Sequence, residues 1–302
     1  MTTTAELVLD ARCATGESPV WSVAEQALYW ADIPAGRLYR LNPSTGALKQ
    51  WQAPQMLACL ALNAQGDGLV AGLEDGLYHL QPPPMGDTLS AERLASVAHA
   101  APGMRFNDGR CDRQGRFWAG TMVMDMAAGV PAGALYRHDA RDAITGQLQA
   151  QLSGLLVPNG LGFSPDGRTL YLSDSHPSSQ RIWAFDYDTD TGTPSRQRLF
   201  VDMQSLPGRP DGAAVDADGG YWICANDAGL VHRFTPEGRL DRSLAVPVKK
   251  PAMCAFGGAD LRTLFVTSIR PSGVDLSDQP LAGGVFALQP GVAGLPEPGF
   301  QG

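Results

Sequence analysis

The sequence predicts an all-β fold, a six-bladed β-propeller, and three observations carry that prediction. One strand-like motif recurs six times, hairpin-turn signals stand ahead of it, and sustained amphipathic helical periodicity is missing. The recurring segments are "QALYWAD", "DGLVAGL", "GRFWAGT", "RTLYLSD", "GYWICAN" and "RTLFVTS". Aligned on Tyr29, Val70, Trp118, Tyr171, Trp222 and Phe265, they return at intervals of 41, 48, 53, 51 and 43 residues. Four-stranded units at such a period mark propeller blades.

Each element of a blade has its own signal. The turns "NAQGDG", "DRQGR", "SPDGR", "DADGG" and "GGADLR" precede the anchored strand, which is taken as the innermost of its blade. A further strand follows, as in "GRLYRLN", "DGLYHLQ", "GALYRHD", "RIWAFDY", "AGLVHRF" and "GGVFALQ". Many blades then reach another turn, such as "NPSTG", "DTDTG" or "TPEGR". The N-terminal "AELVLDA", about residues 5–12, is expected to close the last blade and remove an open edge. Helical candidates such as Asp87–Val97 are short and interrupted. Six units fill residues 1–302 as one domain, and the missing WD dipeptide argues against the WD40 subtype.

Composition narrows the function. The 302 residues are 44% apolar and 18% charged, enough for a core and too apolar for a disordered chain. Net charge is −8, and no basic run exceeds Lys249–Lys250, so neither nucleic acid nor membrane is an expected partner. The opening "MTTTAELVLDARC" lacks the basic-then-apolar pattern of a secretory signal. Five scattered cysteines form no CxxC and read as reduced, packed thiols, so a cytoplasmic protein is expected, monomeric or weakly homo-oligomeric.

The repeat also points to a site. Counting 11 or 12 residues back from the anchors gives Glu17, Asn107, Asn159 and Asp211, with Cys59 and Cys254 in the other two blades. Equivalent positions share a ring around the channel, so two carboxylates and two amides are expected to converge at one mouth. Carboxylates packed together without a cation would raise each other's pKa sharply. A divalent cation removes that cost, and the all-oxygen set favours calcium, magnesium or manganese over a structural zinc. The two cysteines are expected to line the channel as packing. In "MRFNDG", Asp108–Gly109 reads as the turn that aims Arg105 and Asn107.

"GESPVW", "RFNDGRCDRQGRFWAGTM", "VPNGLGFSPDGRTLYLSDS" and "RPDGAAVDADGGYW" resemble motifs of the senescence marker protein/regucalcin, gluconolactonase and luciferin-regenerating-enzyme-like family. The resemblance covers about Arg12 to Leu288 and implies a six-bladed propeller that hydrolyses sugar lactones with one divalent metal. Family members are known with calcium, zinc, manganese or ferrous iron. By motif, the metal ligands fall on Glu17, Asn159 and Asp211, and the substrate-contacting residues on Arg105, Asn107 and Asp125. "VMDM" around Asp125 departs from the paired acids of some members.

The expected function is hydrolysis of an aldonolactone to the aldonate in carbohydrate catabolism, with Asp211 as general base and Arg105 as an oxyanion donor. A non-catalytic calcium-binding or interaction propeller and a promiscuous metal-dependent esterase are the alternatives. Asp174 and His176 read as loop residues, and His79, His99, His138 and His232 as surface residues. Residues 123–133, small and flexible, read equally as a lid or an ordinary loop.

Overall fold

Six four-stranded antiparallel sheets make up the computed structural model, which describes residues 5–141 and 146–302. Strand β1 (Glu6–Leu9) opens the described chain. Blade 1 holds β2 (Gly16–Ser22), β3 (Ala27–Asp32), β4 (Arg37–Asn42) and β5 (Ala47–Gln52). Blade 2 holds β6 (Cys59–Leu62), β7 (Leu69–Gly72), β8 (Gly76–Gln81) and β9 (Ser90–Ser96). Blade 3 holds β10 (Met104–Cys111), β11 (Phe117–Val123), β12 (Gly133–His138) and β13 (Ala150–Leu155). Blade 4 runs through β14 (Pro158–Phe163), β15 (Thr169–Asp174), β16 (Arg181–Asp188) and β17 (Thr193–Asp202). Blade 5 has β18 (Arg209–Val215), β19 (Tyr221–Asn226), β20 (Leu230–Phe234) and β21 (Leu240–Ala245). Blade 6 takes β22 (Pro251–Gly257), β23 (Thr263–Ser268) and β24 (Val285–Leu288), and β1 completes it.

The first strand of each blade packs against its counterparts around the axis. The anchors Tyr29, Val70, Trp118, Tyr171, Trp222 and Phe265 therefore lie on the second strands, one place further out than the sequence suggested. Both strands are buried, so they read as runs of apolar and small residues; outer strands such as β5 and β21 are mostly exposed. Aromatic pairs join neighbouring blades, with ring centroids 5.5 Å apart for Trp21–Phe265 and 4.9 Å for Tyr171–Tyr221. Each such pair adds about 0.5–1.5 kcal/mol beyond its buried area.

Strand β1 pairs antiparallel with β24, with Glu6 opposite Ala287 and Leu7 opposite Phe286. It spans Glu6–Leu9, shorter than the expected 5–12, because Asp10 onward already leads to β2. Residues Ser90–Ser96, inside the helical candidate, form strand β9. After β24 the chain crosses the face opposite the strand starts. Gly294 bridges to Asp216, Glu297 reaches Arg110 of β10 (2.9 Å), and Phe300 bridges to Asn63 in blade 2. Among the described residues no helix is long and apolar enough to cross a membrane.

Candidate active site

A one-residue bulge recurs near the start of the inner strand in five of the six blades. In β2 the register steps between Glu17 (opposite Ala31) and Val20 (opposite Tyr29). The same step falls between Phe106 and Gly109, Asn159 and Gly162, Pro210 and Ala213, and Pro251 and Cys254. Each bulge breaks the ladder and turns side chains toward the axis. Counted three residues back from the partner of each anchor, the ring reads Glu17, Ala58, Asn107, Asn159, Asp211 and Ala252. Cys59 and Cys254 are thus displaced from the ring by one and two residues, and alanines hold their places.

The bulges are built by local chemistry. Ser18 (φ 52°) and Gly160 (φ 61°), which follow Glu17 and Asn159, both adopt left-handed backbone. Ser18 is held there by blade 2, its Oγ accepting from the Leu60 N–H at 2.9 Å. A Cβ at Gly160 would lie 2.5 Å from Tyr221 Oη and 2.7 Å from Ser173 Oγ, so glycine is required for space as well as conformation. Three contacts clamp the Asn159 bulge. Asn107 Nδ2 donates to Pro158 O (3.1 Å), Tyr221 Oη donates to Gly160 O (2.6 Å), and the Leu161 N–H donates to Asp108 Oδ2 (2.8 Å). Asp108–Gly109 is therefore part of strand β10, and Asp108 is a buried channel residue rather than a turn.

Two further aspartates fix the chain entering this region. Asp32 accepts from the N–H groups of Ala14 and Thr15, just ahead of Glu17. Asp174 does the same for Leu156 and Val157, ahead of Asn159. In blade 5 the corresponding strand ends in Asn226, which donates directly to Asp211 Oδ2 at 2.6 Å.

The ring buries charge without neutralising it. Burial first, then the negative charges of Asp211 and Asp108, hold the Glu17 carboxyl well above the usual range. Burial likewise pushes Asp211 up to about 7, against the Asn226 hydrogen bond and Arg209. Asn159 Oδ1 and Asp108 Oδ1 are buried and meet no hydrogen-bond donor among the described residues. Arg105 donates to Phe106 O (2.6 Å) and Asn107 Oδ1 (2.8 Å); burial draws its pKa down, and Glu17, Cys59 and Asp211 counter that only in part. Below them Arg110 bonds Glu297 and Ala213 O, beside a cavity of about 20 Å³. Among the described residues no three His, Cys, Asp or Glu side chains group for a metal; the ring's third donor is the amide of Asn159. A groove of about 760 Å³, lined by Trp51, Lys49 and Pro82–Pro84 among others, lies on the opposite face and touches no ring residue.

The structure thus brings Glu17, Asn107, Asn159, Asp211 and Arg105 together, and leaves Asp125 at the periphery. Asp125 is exposed on the loop after β11, where its Oδ1 caps a single 3-10 turn (Met126–Ala128). His176 Nε2 donates to Met126 O (3.0 Å), tying that loop to blade 4. His79, His99 and His138 are half-buried, whereas His232 is fully buried between Ser243 Oγ and Pro207 O, which corrects its expected surface placement. Sequence reading missed Asn226, Arg209 and Asp108. The polar residue closing "YWICAN", like the aspartates closing "LYWAD" and "LYLSD", was the available signal.

With this geometry in place, the chain can be set beside known proteins. A sequence model described as "SMP-30/Gluconolactonase/LRE-like region" matches residues 15–270. The chain belongs to this family. Within the SMP-30/gluconolactonase family it is 42% identical to a 6-deoxy-6-sulfogluconolactonase of Pseudomonas putida, over 100% of both chains. It is 32% identical to a pentonolactonase of Haloferax volcanii, over 96% of each. The solved structure of a calcium-binding protein, regucalcin, from Agrobacterium tumefaciens superposes with a TM-score of 0.89 at 27% identity, covering 100% of this chain and 98% of that one. Like these lactonase relatives, the chain is a hydrolase acting on carboxylic ester bonds.

Proposed function

We propose that this protein hydrolyses a sugar lactone to its aldonate, using a divalent ion held by Glu17, Asn159 and Asp211. One observation carries the reading: two buried carboxylates and a partnerless amide oxygen share one register of the channel mouth. Such a set is costly alone and fits a hard divalent cation. Calcium, zinc, manganese and ferrous iron are the candidates. Bound there, the ion supplies carbonyl polarisation and a more acidic water.

The chain's own residues supply the rest. Asp211, with Oδ2 fixed by Asn226, presents Oδ1 as general base to the attacking water. The water oxygen bonds to the lactone carbonyl carbon, the ring C–O bond breaks, and the proton passes to the departing ring oxygen. Arg105, oriented by Asn107, donates to the oxyanion. The second lone pair of Asn107 Oδ1 serves a sugar hydroxyl. The polar mouth favours a sugar lactone over the apolar esters of a promiscuous esterase. The lactones named for the relatives, sulfonated and pentose-derived, are the first substrates to try. Five free, buried cysteines suit a reducing, cytoplasmic setting.

The test is lactonase activity across a panel of aldonolactones before chelation, after it, and after re-addition of single metals. Activity should vanish on chelation and return with one of the four ions. Full activity in protein shown by elemental analysis to be metal-free would overturn the metal role, and no ring opening on any lactone would overturn the function.

A further inference from the structure

The rim above Asp211 carries an excess of positive charge in a molecule whose net charge is −8. Arg209 and Lys250 share a single carboxylate there. Arg209 Nε donates to Asp227 Oδ2 at 2.7 Å, and Lys250 Nζ meets Asp227 Oδ1. Asp227 sits at φ 76°, left-handed backbone that costs a non-glycine residue free energy and persists only where the surroundings hold it. One positive charge of the trio is left over. Arg209 Nη1 donates to Ser175 O at 3.1 Å, and only Arg209 Nη2 (3.5 Å) and Lys250 Nζ (3.4 Å) turn to Asn226 Oδ1. That oxygen is neutral, and the amide's other end is committed to Asp211. Both side chains are only 18% and 28% exposed, so the excess charge is partly desolvated one amide away from the proposed base.

We infer that Arg209 and Lys250 form an anion subsite that selects a lactone with a charged exocyclic group, a sulfonate or phosphate. The inference rests on the lactonase reading and adds a substrate class to it. A lactone whose carbonyl lies over the ring projects the far end of its carbon chain outward to the rim. There an anionic group meets a guanidinium fork beside an ammonium, the pairing that makes short, strong hydrogen bonds to tetrahedral oxyanions. An uncharged hydroxymethyl leaves the extra cation with Asp211, a proposed metal ligand, as its remaining counter-charge.

The experiment measures kcat/KM on glucono-1,5-lactone, its 6-phosphate and 6-deoxy-6-sulfogluconolactone, and reads the ratio of anionic to neutral substrate. The wild-type ratio should exceed one for at least one anion, and the two anionic arms distinguish sulfonate from phosphate. Lys250→Gln should lower that ratio by about ten-fold or more, and Lys250→Arg should keep it. Because Lys250 touches Asn226, the ratio cancels any general effect on Asp211. Calorimetry with ring-opened aldonates gives a readout free of turnover: the 6-phospho or 6-sulfo aldonate, with its second anionic group, should bind more tightly than gluconate, and less so in high salt. A wild-type ratio at or below one for both anions, or a ratio unmoved in Lys250→Gln, overturns the subsite and leaves the lactonase reading standing. No ring opening on any lactone overturns both.

Discussion

Two regions of this molecule bury aspartates at repeat-related positions, and they treat the charge in opposite ways. At the turn side, Asp216 accepts from the N–H groups of Asp218 and Gly220, from Trp222 Nε1 and from Arg233 Nε, at 2.7–3.0 Å. Asp112 is equally well served, by two backbone N–H groups, Arg116 and Tyr187. At the mouth, Asp108 keeps one oxygen bare, and Glu17 and Asp211 are pushed toward protonation by burial. The lesson is that a buried carboxylate with both oxygens served serves the fold, whereas one held back from its donors is kept for an outside cation or substrate.

The strongest way to break this contrast is Asp211→Asn. Hydrolysis should fall by on the order of 10²–10⁴-fold, the contribution of a positioned general base. Metal-free Asp211→Asn should also melt above metal-free wild type, since a buried, uncompensated acid is gone. A lower melting temperature would place Asp211 with the structural aspartates. Next in size is Asp216→Ala, which should cost about 3 kcal/mol in urea unfolding. That is the lower end for a broken buried pair, because Asp241 still holds Arg233 at 2.9 Å. A loss below about 0.5 kcal/mol would remove the distinction from the turn side.

The smallest effect sharpens the comparison through pH. Without metal, Asp211 titrates near 7 in the folded chain and near 3.8 when unfolded. Between these values the unfolded chain ionises first, so this group makes metal-free stability fall as pH rises from 4 to 7. Asp139 works the other way. Arg141 and Arg116 hold its carboxyl well below the usual range, so its contribution is complete above pH 4 and is lost as pH falls below that. Melting curves of chelated protein at pH 5 and 7.5 should decline, and added metal or Asp211→Asn should flatten the decline. An unchanged slope in Asp211→Asn would assign it to other groups.

The blades were legible because period and turn chemistry are properties of the chain, and so was the identity of the ring acids. Their register was not. Turn length varies between blades, so a fixed count along the chain lands on Cys59 and Cys254, while strand pairing selects Ala58 and Ala252. Asp108 was hidden for a related reason. Asn-Asp-Gly suits a bulge as well as a turn, and only the partner strand distinguishes them. Asn226 left a signal, the polar end of its strand, but its bond to Asp211 and the Arg209–Lys250 rim follow from strand pairing and from contacts between separate segments.

The pairing of β1 with β24 also governs how the chain reaches its native state. Strand β1 has no partner until β24 has followed it out of the ribosome, at about 5–20 residues per second. Five blades can form in order as they emerge, while the sixth waits with one seat empty. During that wait β1 is a loose strand and the nascent sheet offers a bare edge, the conditions under which chains exchange strands with one another. The seam between β1 and β24 is thus where a folding error would join two molecules.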